Sequence, residues 1–170
     1  MSRMNKKSIG FFNSNDIYPV SADSTLPFEQ HRDIFYLSGV DQEESVLMLC
    51  PSASDPKHRE VLFLKKTDEH IAVWEGPKLN KKQAYKTSGI KTVYWLDEME
   101  KVIDEVANEC DTIYYNHNEH YRAKIEMETR EERFNKWIEN KFPKKIKERS
   151  NPILQPVSYT HLRAHETFAN

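Results

Sequence analysis

The sequence predicts an α/β domain, a mixed β-sheet flanked by helices. Three observations lead there. The first half carries short runs rich in β-branched and aromatic residues, Ser8–Phe12, Ser45–Cys50 and Glu60–Leu64, separated by turn-forming clusters. The second half alternates helical with strand patterns, an order that argues for helices packed against a sheet. The chain has 170 residues, 38% hydrophobic and 31% charged, which suits one soluble domain.

Ser8–Phe12 reads as a strand that runs into the polar cluster Asn13-Ser14-Asn15-Asp16, and a loop continues through Pro19, Asp23 and Pro27. Asp33–Leu37 is a short apolar run closed by Ser38-Gly39. Ser45–Cys50 and Glu60–Leu64 read as buried strands, and the short loop between them allows an antiparallel pair. Ile71–Trp74 reads as another strand, stopped by Glu75-Gly76-Pro77. Asn80 to Ser88 reads as a helix with Asn80 as N-cap, Gln83 three residues on, and Gly89 as the stop. Ile90–Trp95 is a strand. Asp97 with Glu100 is expected to cap the next helix, whose apolar positions Met99, Val102, Ile103, Val106, Ala107 and Cys110 follow one face of a 3.6-residue period. Asp111–Tyr115 is a strand. Thr129 with Glu132 opens a last helix with Phe134, Trp137 and Ile138 on one face, and Pro143 ends it.

Composition removes several function classes. The net charge of −2 argues against a dedicated nucleic-acid binder. No apolar run approaches a membrane span, and Ile9–Phe12 is too short for a secretory signal. Four glycines leave no glycine-rich phosphate loop. Cys50 and Cys110, far apart in sequence, form no metal-ligand spacing and no disulfide framework; they read as buried thiols of a cytoplasmic protein.

Candidate chemistry is sparse. His117-Asn118-Glu119-His120 offers two histidines and a carboxylate after a strand, but nothing nearby completes a zinc motif, so it reads as polar loop. Lys141–Arg149 is basic without interleaved aromatics and reads as a solvated helix end. The acid pairs Glu43/Glu44 and Glu126/Glu128 read as surface. Trp74, at the end of a run and before a turn, reads equally as a core tryptophan or as a side chain that leans over a pocket or partner.

Three stretches carry a resemblance: Pro27-Phe28-Glu29-Gln30 running on through Phe35-Tyr36-Leu37-Ser38-Gly39 to Gln42-Glu43-Glu44-Ser45-Val46-Leu47; Trp74-Glu75-Gly76-Pro77-Lys78-Leu79; and Asn13-Ser14-Asn15-Asp16. From Ser8 to Leu154 the chain resembles the N-terminal domain of aminopeptidase P, the Xaa-Pro aminopeptidases, a creatinase-type fold. Glu29 stands where that family usually has Arg, His31-Arg32 replaces a usual Asn-Ser, and Ser38 replaces Thr. Seven residues precede the first strand, fewer than is usual, so an N-terminal helix is expected to be missing.

The resemblance implies a structural and oligomerisation domain, inactive alone, of an enzyme that releases the first residue of peptides with proline in second position. It places catalysis in a C-terminal pita-bread domain with two Mn2+ ions held by two Asp, one His and two Glu, none of them in this chain. It implies a cytoplasmic homo-oligomer that binds neither nucleic acid nor membrane. Trp74 matches the tryptophan that borders the substrate pocket of a neighbouring subunit. The alternatives are a stand-alone oligomerisation or binding module, or the N-terminal domain of a prolidase- or creatinase-type enzyme.

The last residues differ in kind. Val157–Thr167 reads, residue for residue, as one frame of the transposon-end adapter used to prepare DNA libraries, with Phe168-Ala169-Asn170 as index sequence. The expected organisation is a domain over 1–154 and a non-native tail over 155–170, with the catalytic domain absent.

Overall fold

A computed structural model describes residues 4–5, 7–21, 24–68, 72–73, 75–118 and 128–150. Its elements are β1 (Ser8–Asn13), β2 (Pro19–Ser21), β3 (Ser24–Thr25), α1 (Arg32–Ser38), β4 (Val46–Leu49), β5 (Glu60–Leu64), α2 (Lys81–Ser88), β6 (Thr92–Trp95), α3 (Met99–Ala107), β7 (Thr112–Tyr115), α4 (Arg130–Lys141) and β8 (Ile146–Arg149). Six strands form one mixed sheet in the order β6-β5-β4-β1-β7-β8, and β2 with β3 makes a small separate hairpin. β4 is antiparallel to both β1 and β5, while β5–β6, β1–β7 and β7–β8 are parallel. The expected mixed sheet flanked by helices is the observed architecture.

β4 and β5 read as nearly unbroken apolar runs because helices cover both faces of the sheet, so alternate residues all need apolar partners. Val46, Met48, Val61 and Phe63 point to one core with Val102, Ile103, Val106 and Cys110 from the α3 segment and Ile138 from α4. Leu47, Leu49, Leu62 and Leu64 point to the other, with Ile34 of α1 and Ala84 of α2. Each large side chain so buried contributes about 1.5–3 kcal/mol before ordering costs. The α3 stripe lands as its spacing requires, with Val102, Ile103, Val106, Ala107 and Cys110 buried. Helix α2 is built as read: Asn80 and Gln83 form a reciprocal capping box, and Gly89 closes the helix at φ 73°, where a Cβ is unfavourable. Thr129 and Glu132 cap α4 in the same way.

Several readings are corrected. Ala72 and Val73 are helical, not extended, and Ala72 N–H donates to Asp68 O at 3.0 Å; Ile71 and Trp74 lie outside the described residues. The place beside β5 belongs to β6, with Leu64 opposite Trp95, so a strand at 71–74 has no partner there. The start of α3 is set by Glu98, not by Asp97 with Glu100: a 3-10 turn spans Leu96–Glu98, and the Glu98 carboxylate accepts the Trp95 N–H at 2.8 Å. Lys141–Arg149 is not simply a helix end. After Pro143 the chain re-enters the sheet as β8, a charged edge strand of the kind that resists further pairing. The loop after Asp16 contains the β2–β3 hairpin. The tail from Asn151 onward lies outside the described residues.

Candidate functional site

β1, β5, β6, β7 and β8 run in one direction and β4 in the other, so the ends of those five strands and the beginning of β4 share one edge of the sheet. The carboxyl edge is where open α/β sheets place their working loops. The segments singled out in the sequence converge there.

Ser14, just past β1, exchanges two bonds with Ser45, just before β4: its N–H donates to Ser45 O at 2.8 Å, and its Oγ accepts the Ser45 N–H at 3.1 Å. Asn15 Nδ2 donates to Glu29 O at 2.9 Å. Gln30 Nε2 donates to the carbonyls of Val40 (3.1 Å) and Gln42 (2.9 Å), while its Oε1 accepts the His31 N–H at 2.8 Å. Gln42 Oε1 then accepts the Leu79 N–H at 2.7 Å, and Glu43 pairs with Lys78. Four separate stretches are thus joined by a chain of bonds running Asn15, Glu29-Gln30, Gln42-Glu43 and Lys78-Leu79. Trp74 lies outside the described residues, but the loop that follows it is anchored at Lys78 and Leu79.

The departures at Glu29 and His31 are accommodated. Glu29 is exposed, so its reversed charge is not buried. His31 takes the N-cap of α1, its Nδ1 accepting the Asp33 N–H at 3.3 Å, the task a short polar side chain usually performs. Its Nε2 lies 3.3 Å from a Glu131 carboxylate oxygen. Histidine is a weak N-cap signal, so the apolar run Asp33–Leu37 carries no clear helix start in sequence, although Gly39 at φ 67° marks the helix end.

Beside the network is a cleft of about 310 Å³ lined by Asp16, Tyr18, His31, His117, Arg130 and Glu131, among others. Arg133 grips both Asp16 carboxylate oxygens at 3.0 Å. Burial pulls the Arg130 guanidinium down from its usual value, Glu44 and Asp16 oppose that pull, and its buried Nε has no hydrogen-bond partner among the described residues. His117 lines the cleft; Glu119 and His120 lie outside the described residues. Among the described residues no group of three or more His, Cys, Asp or Glu is placed to hold a metal ion.

The family model described as aminopeptidase P, N-terminal domain, matches residues 1–114. The chain belongs to that family. Xaa-Pro aminopeptidase 3 of Homo sapiens is 28% identical over 104 residues, covering 60% of this chain and 20% of the relative. The Xaa-Pro aminopeptidase of Escherichia coli (strain K12) is 29% identical over 105 residues, 62% of this chain and 24% of that protein. The chain therefore spans about a fifth of the length of the curated relatives it matches. A structure from Bacillus anthracis assigned as an aminopeptidase P superposes with a TM-score of 0.77 at 24% identity, covering 89% of this chain and 36% of that one. The low-pH form of E. coli aminopeptidase P gives 0.70 at 21%, covering 89% and 34%. Those two structures establish the shared fold. In this chain the recognisable segments thus gather at the carboxyl edge, where Gln30 and Gln42 act as the connecting side chains.

Proposed function

We propose that this chain is the non-catalytic N-terminal domain of a metal-dependent Xaa-Pro aminopeptidase, which removes the first residue of peptides with proline in second position. The observation that carries the reading is the family match over residues 1–114, in a chain whose matched stretch covers about a fifth of such an enzyme. Proline at the scissile bond gives a tertiary amide without an N–H and with a fixed φ, so a dedicated enzyme is needed.

The described residues do not suit two Mn2+ ions. The closest histidine–carboxylate contact near the cleft, His31 with Glu131, is already occupied: Glu131 Oε1 accepts the Asn118 N–H at 2.6 Å, and His31 Nδ1 caps α1. The two metals are assigned to a separate catalytic domain of the parent enzyme, and no chemical step is derived for this chain. Its part is to present the carboxyl edge, with the Trp74 loop, to a substrate pocket in a cytoplasmic homo-oligomer. Among the described residues no helix is long and apolar enough to cross a membrane.

The test compares the full-length gene product with this chain in release of the first residue from a Xaa-Pro peptide, with and without Mn2+. The full-length protein is expected to turn over and the chain alone to be inert. Mn2+-dependent release by the chain alone overturns the reading, as does a full-length protein that cleaves no such peptide.

A further inference from the structure

Cys50 and Cys110 are 60 positions apart in sequence, yet their sulfurs are 3.3 Å from each other, and both residues are fully buried. They sit at the end of the sheet away from the motif network, Cys50 just after β4 and Cys110 between α3 and β7. The chain on both sides is fixed. Cys50 N–H donates to Arg59 O at 2.9 Å, Cys110 N–H to Ala107 O at 3.2 Å, and the Lys145 ammonium to Cys110 O. Glu109, next to Cys110, accepts the Ser54 N–H at 2.7 Å and so closes the turn after Cys50 over the pair. Ser52, Ser54, Asp55 and Asp111, close to the two cysteines in sequence, are exposed.

The two thiols are not equivalent. The two sulfurs share one hydrogen bond in which either can donate. That bond, with the Ala53 N–H and the Ser52 side chain, outweighs burial and the Glu109 charge and holds Cys50 below the usual thiol range. The bond to Cys50 and burial push Cys110 up. Reactive cysteines are those whose thiolate is favoured.

We propose that Cys50 and Cys110 form an oxidation site that a small peroxide converts, reversibly, to an intramolecular disulfide. Brief opening of the Ser54–Glu109 closure admits the oxidant. The Cys50 thiolate attacks one peroxide oxygen, the O–O bond breaks, and the departing hydroxide takes the proton of Cys110 to leave as water. Cys50 is then a sulfenic acid. The Cys110 thiolate attacks the Cys50 sulfur, the S–O bond breaks, and a second water leaves after protonation. In sum two thiols and one hydrogen peroxide give one disulfide and two waters. A dithiol reductant returns both thiols by exchange and is itself oxidised.

The experiment treats the native, reduced 170-residue chain with hydrogen peroxide and follows thiol alkylation, intact mass and a non-reducing peptide map. Both thiols are expected to disappear together, with loss of two hydrogens and a Cys50–Cys110 linked peptide that dithiothreitol removes. The closed loop is expected to raise Tm by roughly 5–10 °C. Cys110→Ser is expected to leave a dimedone-reactive sulfenic acid at Cys50, and Cys50→Ser to leave Cys110 unreactive. The wild-type map decides alone if either variant fails to fold. The proposal is overturned if the native chain keeps both thiols while the urea-unfolded chain loses them, or if oxidation joins two chains or stops on a single cysteine.

Discussion

Glu43 and Lys78 face each other across the carboxyl edge as an ion pair whose side chains keep 10% and 7% of their exposure. The pair fastens the loop after Gly76 to the start of β4, beside the Gln42–Leu79 bond. Removing one member of such a buried pair leaves the other charged and dehydrated, which typically costs about 3–5 kcal/mol. The two halves differ here. Lys78 also reaches Glu75 O at 3.2 Å, so after Glu43→Gln its ammonium retains a partner. Lys78→Met is therefore expected to destabilise more than Glu43→Gln, and the double variant Glu43→Leu/Lys78→Met less than Lys78→Met alone. Urea unfolding of the four proteins measures the order.

Glu98 predicts an acid-range dependence. The Trp95 N–H, and then Lys81, hold its carboxyl below the usual 4.5. A carboxyl whose folded pKa is depressed adds stability that is present above its unfolded pKa and is lost as pH falls through the folded one. Wild type should therefore exceed Glu98→Gln in stability at neutral pH, and the gap should narrow as pH falls through and below the usual carboxyl value of 4.5. Urea midpoints for both proteins across that range check it; a gap that stays constant would assign the effect to the neutral hydrogen bond alone.

What was legible in the sequence was what is local. Asn80, Gln83 and Gly89 specify α2 within one segment, and the α3 stripe from Met99 to Cys110 carries its own period. β4 and β5 announce themselves because both faces of each are buried. What was hidden depends on distant partners. Ile71–Trp74 has strand-forming residues, yet β6 holds the place beside β5. Ile146–Arg149 has one apolar residue and becomes a strand through its pairing with β7. Gln30 and Gln42 look like ordinary polar residues until the loops they join are folded together, and the contact of Cys50 with Cys110 spans 60 positions.

Gln30 gives a sharper test of the network. Its amide nitrogen serves the two carbonyls of Val40 and Gln42, and its oxygen serves the His31 N–H. With a net value of about 0.5–1.5 kcal/mol per bond, Gln30→Ala should cost roughly 2–3 kcal/mol. Gln30→Glu retains the acceptor for His31 but sets a carboxylate oxygen against two carbonyl oxygens. It should therefore destabilise more than alanine, although it is nearly the same size. Thermal or urea unfolding decides, and a glutamate variant as stable as wild type would show that Gln30 does not hold the Val40–Gln42 loop.

Trp74 tests the functional reading independently of the fold. On the proposed assignment its side chain borders a substrate pocket in the oligomer, so Trp74→Ala in the full-length protein should lower kcat/KM by about tenfold or more, equivalent to about 1.4 kcal/mol of transition-state stabilisation. The loop after it stays fastened by Glu43–Lys78 and Gln42–Leu79, so stability should change by less than about 1 kcal/mol. Kinetics on a Xaa-Pro peptide and urea unfolding of the same preparation separate the two. A tryptophan that serves only the core gives the opposite pattern, with a loss of about 3–5 kcal/mol in stability and little change in turnover by the molecules that remain folded.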